Sequence, residues 1–340
     1  MVRAADLARE IGVSKATISL VLNGKPGISD KTRERVLRQI KELGYGYLLQ
    51  SQQEIAEESN TIGFVIYKNN GALLGMNSFF PLILDGIELT ARQHGYNLVV
   101  ITIDRMEIDS QIKYIRDSNC AGYVIFATEM QEDEVGCFEE LGIPFVLFDN
   151  YFIDKSINSV KVNNEQGTYA AVSHLYTRGH RKIGYLSSGL NINSFIERRK
   201  CAFAAMKHLG LEDQEQYCYE IGYPHENADI GMEAVLTRIH NSDLPTAFLS
   251  DNDLVAVGAM QAMKRLGFRI PDDFSVIGYD DRPICTLVEP KLTTIQLPRE
   301  RFGAEAVEQL IHTMQKAEKS YTKVEVNGLL IERDTVKQVG

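Results

Sequence analysis

Residues 6–24 read DLAREIGVSKATISLVLNG, two short runs of helical periodicity separated by a turn. Gly12 stands where the chain must turn, and Ser14 is placed to cap the helix that follows. Ala8 and Gly12 are both small, so we expect them to permit a close approach of the two helices. The pattern is that of a helix-turn-helix unit, whose second helix presents its first residues outward.

A third helix is predicted immediately after this unit. Ser29 is placed to cap it, and its apolar positions keep the helical period: Val36, Leu37, Ile40 and Leu43. Residues 1–46 therefore predict a small all-α head with a core of its own. The second helix begins with small polar residues, which can enter the major groove of DNA and contact base edges and phosphates there.

The net charge of −10 argues at first sight against a nucleic-acid partner, but the charge is unevenly distributed. The first 50 residues hold nine Lys or Arg and five Asp or Glu, a formal charge of +4, which leaves −14 on the remainder. A basic head on an acidic body favours DNA binding by the head over the alternative of a merely solvated three-helix bundle.

Beyond a polar segment at residues 50–60, which reads as a linker or a lone exposed helix, β-rich runs alternate with amphipathic stretches of helical length. The runs fall at 61–67, 96–103, 122–127, 145–148, 182–186, 246–250 and 274–279. Seven or more strands in two groups predict an α/β body of two doubly wound parallel-sheet lobes. Further runs at 159–163, 291–297 and 324–331 predict that the chain crosses between the lobes more than once, with a ligand cleft between strand ends.

Cysteine usage and hydropathy indicate a cytoplasmic protein. The five cysteines include no CxxC pair and are expected to be reduced and buried. No apolar run is long enough to span a membrane, and Met1 is followed by charged residues rather than an apolar signal core. We expect no membrane partner.

The head sequence SKATISLVLNGKPGISDKTRERVLRQIKELGY (14–45) resembles the DNA-binding domain of the LacI/GalR (lactose-repressor) family. Segments of the body resemble the same family in order and spacing: VNNEQG, HLYTRGHRKIGYL, DNDLVAVGAMQAMKRLGFRIPDDFSVIGYDD and PKLTTIQLP. The resemblance implies a homodimer on a near-palindromic operator and a body of periplasmic-binding-protein type. A ligand would close the two lobes and so move the heads. The implied division is a DNA-binding domain at 1–46, a linker or hinge at 47–60, and an effector-binding and dimerisation domain at 61–340.

The resemblance also implies which head residues meet DNA. Lys15 and Ala16 match positions that read bases, and Thr17, Ser19 and Asn23 match positions that touch the backbone or support the helix. Leu20 departs from the family, which often has Arg there, so apolar contact with a thymine methyl is expected instead. The full candidate set is Arg3, Ser14, Lys15, Ala16, Thr17, Ser19, Leu20 and Asn23.

Candidate effector-binding residues match family positions at strand ends and on one helix. They are Phe79, Phe80, Asp149, Phe195, Arg199, Asn252 and Asp280. Carboxylates, an amide and a guanidinium together supply acceptors and donors for hydroxyl groups, and aromatic rings can stack on a sugar face or a base. Taken singly, each acid or amide has an alternative role as a turn or cap residue, and each ring has one in core packing. One arginine among several carboxylates favours a neutral carbohydrate over the alternatives, a purine or a sugar phosphate.

Other classes of protein fit less well. There is no phosphate-binding GxxxxGK[ST] loop, no GxGxxG after a strand, and no ligand spacing among the seven histidines, so we expect no enzyme activity, cofactor or metal. An exported sugar-binding protein would need a signal peptide and would lack the head. A scaffold with the same body is harder to exclude, although it would not need a cleft with clustered polar residues.

Two features near the ends of the body bear on assembly. In the linker, Tyr47, Leu48 and Ser51 replace family residues, and Glu54 stands where relatives place a leucine that wedges into the minor groove. A carboxylate is repelled there, so we expect little operator bending. The final residues, ERDTVKQVG, are too short and polar for the tetramer-forming helix of some relatives, so a dimer is the expected limit.

Overall fold

The computed structural model describes residues 4–22, 27–43, 45, 59–69, 71, 80–211, 214–239, 244–315 and 320–339. The head consists of helices α1 (Ala4–Ile11), α2 (Lys15–Leu22) and α3 (Asp30–Glu42). The Ser14 hydroxyl accepts the Thr17 amide at 3.0 Å, and the Ser29 hydroxyl accepts the Thr32 amide at 3.3 Å. Both predicted helix caps are therefore confirmed. The head has its own apolar core, in which Leu7, Ile18, Val36 and Ile40 are fully buried.

Of the two roles expected of Gly12, the turn is confirmed and the close helix approach is not. Gly12 has φ +74°, and a Cβ at this position would meet no atom within 4 Å. Close helix approach therefore does not require it. The glycine is required by the left-handed backbone at the end of α1, because residues with a side chain adopt that conformation only at a cost in free energy. Ala8 is 5% exposed and does contribute to the helix packing.

The body alternates strands with helices. The strands are β1 (Thr61–Lys68), β2 (Asn97–Asp104), β3 (Tyr123–Phe126), β4 (Phe145–Phe148), β5 (Ser159–Val162), β6 (Ile183–Ser187), β7 (Cys218–Glu220), β8 (Ala247–Ser250), β9 (Ser275–Asp280), β10 (Thr293–Gln296), β11 (Lys323–Val326) and β12 (Leu329–Ile331). The helices are α4 (Phe80–Gln93), α5 (Ile108–Asp117), α6 (Gly136–Glu139), α7 (Asn164–Thr177), α8 (Asn193–His208), α9 (His225–Arg238), α10 (Asp253–Arg265), α11 (Ile284–Leu287) and α12 (Arg299–Gln315).

The strands form two six-stranded sheets, one in each lobe. The first lobe has the order β2-β1-β3-β4-β5-β11 and the second has β7-β6-β8-β9-β10-β12. Every pairing is parallel except that of β10 with β12. In each sheet the order reverses direction in the middle, as in doubly wound folds. The predicted two-lobed α/β architecture is confirmed.

The chain passes between the lobes three times. It leaves the first lobe after β5, returns after β10, and crosses again between β11 and β12. The return is anchored by α12, which packs so tightly on α4 that a Cβ at Gly86 would lie 2.0 Å from the carbonyl oxygen of Glu300. Only glycine fits that position. The predicted repeated crossing is confirmed, and the run predicted at 324–331 proves to be two strands in different sheets.

The cysteines and the helices bear on two further expectations. All five cysteines are free; Cys120 and Cys285 are buried and the other three are half-buried. Among the described helices, none has both the length and the apolar character needed to cross a bilayer.

Candidate functional site

A cavity of about 450 Å³ lies between the two lobes, where the carboxyl ends of their central strands face each other. This is where parallel α/β sheets place their ligands. The first lobe contributes Phe80, Phe126, Thr128 and Asp149, and the second contributes Ser194, Phe195, Arg198, Asp280 and Arg282. We refer to it as the primary cavity.

The two carboxylates of the primary cavity occupy equivalent positions in the two lobes. Asp149 directly follows β4, Asp280 is the last residue of β9, and their φ angles are +62° and +107°. A positive φ is uncommon for residues other than glycine and costs of order 1–3 kcal/mol. The backbone is therefore strained at two opposing points of the cavity, which is a feature of ligand sites.

Arg198 is the central cation of the primary cavity. Its Nη1 lies 3.2 Å from Asp280 Oδ1 and donates to the carbonyl oxygen of Asp251 at 2.7 Å. Its Nε donates to Asn164 Oδ1 at 2.9 Å, and its guanidinium lies 3.7 Å from the ring centre of Tyr279. Burial is the largest single effect and opposes the charged form of Arg198, but Asp280, Tyr279, Asp149 and Tyr185 together outweigh it and raise the pKa of the guanidinium. The group is thus a fixed, fully charged donor.

The expectation that Arg199 lines the cavity is not met. Arg199 is absent from the lining, and its Nη1 lies 3.5 Å from Ser187 Oγ at the edge of α8. Successive residues of a helix point about 100° apart, so only one of two adjacent arginines can face the cleft. The structure places Arg198 there.

Asp149 has an unusual protonation equilibrium. Burial raises the pKa of Asp149 to about 6. Thr128 Oγ1 donates a hydrogen bond to Asp149 Oδ2 at 2.6 Å, which lowers the pKa but does not offset the burial. Behind the cavity, burial and the nearby charge of Asp280 raise the pKa of Asp253 to about 7. One carboxyl group in the cavity and one behind it thus have pKa values raised toward neutral pH, as is common at functional sites.

Asn252 lies outside the cavity lining. It is fully buried, and its side-chain oxygen accepts the Val255 amide at 3.1 Å, so it caps the start of α10. Phe80 and Phe195 do line the cavity, whereas Phe79 lies outside the described residues. Asn252 is therefore a helix cap, which was the alternative role considered for a single amide at a strand end.

Besides Arg198, which stands where Arg199 was expected, four lining residues were missed by the sequence analysis: Phe126, Thr128, Ser194 and Arg282. Arg282 has the largest effect, because it adds a second cation whose Nε lies 3.4 Å from Asp280 Oδ2. It stands two residues after Asp280, and that proximity was the available signal. Phe126 is the last residue of β3 and Thr128 follows it closely, just as Asp149 follows β4. A search of the residues at the end of every predicted strand would therefore have found both.

In the head, the exposed face of α2 carries three of the candidate DNA-contacting residues: Lys15, Ala16 and Ser19. Ser14 is also exposed, and its hydroxyl lies 2.8 Å from that of Thr17, which is half-buried.

Leu20 is half-buried as well, and its carbonyl oxygen accepts Arg33 Nη1 at 3.3 Å. Arg3 and Asn23 lie outside the described residues. The structure thus brings Lys15, Ala16 and Ser19 to one surface of α2.

Two family models match the chain in separate regions. Residues 5–46 match the model of bacterial regulatory proteins of the lacI family, and residues 172–336 match a periplasmic binding protein-like domain. The first match covers the three helices of the head, and the second covers most of the second lobe together with α12 and β11.

Several relatives match along nearly the whole chain. The HTH-type transcriptional repressor PurR of Vibrio vulnificus is 29% identical over 98% of both chains. The ribose operon repressor of Haemophilus influenzae is 27% identical over 97% of both chains. Among solved structures, the lac repressor dimer bound to operator and the anti-inducer ONPF is 26% identical, with a TM-score of 0.71 and 99% of each chain covered.

Proposed function

The chain belongs to the lacI family of bacterial regulatory proteins, and from that premise we propose that it is a transcriptional repressor whose affinity for operator DNA is set by a neutral carbohydrate. We further propose the division into a DNA-binding domain at 1–46, a linker at 47–60 and an effector-binding and dimerisation domain at 61–340. The observation that carries the effector part is the buried Arg198–Asp280 pair at 3.2 Å inside a cavity between two lobes.

The charge balance of the primary cavity supports a neutral ligand. Arg198 and Arg282 face Asp149 and Asp280, so cations and anions are equal in number when both carboxyl groups are ionised. A strongly anionic or cationic effector would leave one of these buried charges without compensation. Hydroxyl groups both donate and accept, and so can bind a carboxylate and a guanidinium at once.

The aromatic rings of the cavity support a carbohydrate in particular. Phe80 and Phe126 pack edge to face with ring centres 4.8 Å apart, and Phe195 lies on the opposite wall. Aromatic walls beside a few fixed polar groups suit a molecule with an apolar ring face and polar edges. One relative, the ribose operon repressor of Haemophilus influenzae, is named for a sugar.

A regulator of this kind binds DNA in the cytoplasm and performs no chemistry on its ligand, and we propose both for this chain. In the part of the chain that the structure describes, no group of three side chains is arranged to hold a metal ion. Residues 47–58 of the linker, which include Glu54, lie outside the described residues, so weak operator bending stays a prediction.

The test uses the full chain and a DNA fragment selected from a genomic library by gel shift. Binding is expected to weaken steeply with salt, and Lys15→Ala is expected to cost about 1–3 kcal/mol of operator affinity. Lys113→Ala removes the same charge from an exposed position on α5 of the body and serves as the control. A neutral sugar should then shift operator affinity, whereas a response to purines or sugar phosphates alone would contradict the carbohydrate.

A further inference from the structure

The space between the lobes continues beyond the primary cavity. Residues 126–132 of the first lobe and residues 190–201 of the second form two facing walls. The primary cavity uses Thr128 and Ser194 of these segments, and a neighbouring cavity of about 240 Å³ uses the nearby positions Glu129 and Ile192. The linings of the two cavities have no residue in common but occupy neighbouring positions of the same two segments, and we call the neighbouring one the second cavity.

The second cavity is lined mainly by polar groups. Its lining consists of Asn69, Arg105, Glu129, Gln131, Leu190, Asn191 and Ile192. Amide and guanidinium groups dominate the first-lobe wall, and two aliphatic side chains face them from the second lobe. Amides that donate and accept beside an aliphatic surface suit a molecule with hydroxyl groups around an apolar ring face.

The first-lobe wall of the second cavity is held in position. Glu129, only 6% exposed, accepts the backbone amides of Asn69 and Gly71 at 2.9 and 3.0 Å, which fixes the chain after β1. Arg105 Nε lies 2.5 Å from Glu134 Oε1, and its Nη1 donates to Asn69 Oδ1 at 3.4 Å. The guanidinium is thereby oriented and its charge is balanced by Glu134. A balanced cation disfavours a phosphate and favours hydroxyl groups.

A third cavity along the same walls is less suited to this ligand. It is lined by Tyr151, Ile153, Glu197 and Lys200, among others. Its central carboxylate, Glu197, already accepts from Lys161, Asn164 and Tyr151, at 2.5, 2.6 and 3.3 Å. A ligand hydroxyl would have to compete with these donors, so extension of the ligand is expected toward the second cavity.

From this geometry we propose that the effector is an oligosaccharide of at least two units, with one unit in the primary cavity and the next in the second cavity. The inference rests on the carbohydrate effector proposed above; it adds the minimum length of that carbohydrate and a second subsite that binds it. Asn191 and Arg105 are the residues that bind the second unit. Asn191 is exposed at the cleft entrance, so its removal does not disturb the core.

The test measures binding of sugars to the full chain by calorimetry. Each monosaccharide is compared with disaccharides built from it: glucose with cellobiose and maltose, and xylose with xylobiose. Ribose is included as a further monosaccharide. At least one disaccharide is expected to bind about tenfold or more tightly than its own monosaccharide, since each added hydrogen bond contributes roughly 0.5–1.5 kcal/mol. Asn191→Ala and Arg105→Ala should reduce that advantage severalfold and leave monosaccharide affinity unchanged. Gln93→Ala, at the exposed end of α4, is the control for removal of a surface amide.

The possible failures are distinguishable. If a monosaccharide binds as tightly as every disaccharide that contains it, the second subsite is wrong while the proposed carbohydrate regulation stands. Equal weakening of monosaccharide and disaccharide by Asn191→Ala would also overturn the subsite, because the residue would then act on the primary cavity. If none of these sugars binds and sugar phosphates or purines do, both the oligosaccharide and the carbohydrate proposal fail.

Discussion

Arg198 holds the second lobe's half of the primary cavity together, because it joins the strand end at Asp280 to the carbonyl oxygen of Asp251 and the side chain of Asn164. We predict that Arg198→Met lowers the free energy of unfolding by roughly 3–5 kcal/mol, since Asp280 would remain as a buried charge with less compensation. Arg199→Met removes the same group one residue away and should cost less than about 1 kcal/mol. Urea unfolding of both variants measures the difference, and equal losses would contradict it.

Asp149 makes the affinity for the effector depend on pH. Burial raises its pKa to about 6; the Thr128 hydroxyl and Arg198 favour the ionised form, while Asp280 and Glu197 oppose it. An effector hydroxyl that donates to the carboxylate requires the ionised form, so affinity should be constant above about pH 7 and fall as the pH drops through about 6. Calorimetry between pH 5 and 8 is expected to show this fall in the wild type and a flatter profile in Asp149→Asn. Affinity that rises on acidification would contradict the assignment.

Single residues are also where inference from sequence stops. The segment 197–200 reads ERRK, and nothing local decides which arginine of α8 faces the cleft, because the phase of a helix is set by its packing and a shift of one residue rotates the side chain by about 100°. Strand ends are more predictable, since every parallel strand delivers its last residue to the same edge. Asp149 and Asp280 were found by this rule, and Asn252, which the same rule selected, became a helix cap instead.

Helix α8 connects the two lobes through the residue before Arg198. Glu197 accepts Lys161 Nζ at 2.5 Å and the Tyr151 hydroxyl at 3.3 Å, and both donors belong to the first lobe. We predict that Glu197→Ala favours a more open arrangement of the lobes and weakens effector binding roughly tenfold, because the arrangement that binds the ligand becomes less populated. X-ray scattering and a sugar titration measure the two effects.

The control for this prediction is Glu233→Ala. Glu233 pairs with Arg265 Nη2 at 2.8 Å on the surface of the second lobe alone, so its loss should change neither the radius of gyration nor effector affinity. If Glu197→Ala behaves like Glu233→Ala, the Lys161–Glu197 pair does not stabilise the observed arrangement of the lobes.

Strands and helices of the body follow closely from the sequence where they are long and buried. The edge strand β7 was missed because it has three residues, all partly exposed, and so lacks an apolar run. The run at 324–331 was predicted as one strand because sequence periodicity does not record a change of sheet. Asn327 and Gly328 separate β11 from β12, and a Cβ at Gly328 would lie 2.7 Å from Ile295 Cγ2. That close approach depends on a residue far away in the chain, which no local pattern contains.

Recognition of a near-palindromic operator requires two heads, and the body offers apolar surfaces through which two copies can pair. Leu82 and Leu89, seven residues apart on α4, are 38% and 49% exposed in the first lobe. In the second lobe, Ile230 on α9 is 65% exposed and Leu287 on α11 is 81% exposed. Large apolar side chains exposed on both lobes are expected of an interface that extends along the whole body.

We therefore predict that Leu89→Glu and Ile230→Glu each weaken self-association, because a dimer would have to bury an unpaired carboxylate in either lobe. Both positions are exposed in the single chain, so its stability should change by less than about 0.5 kcal/mol. Tyr321→Glu is the control, because it introduces the same charge in place of another large exposed side chain, one that is 52% exposed. Light scattering at micromolar concentration should report a dimer for the wild type and the control and a monomer for the two variants, with operator affinity falling in parallel. A wild-type tetramer, or variants that remain dimeric, would show that the chain associates through a different surface.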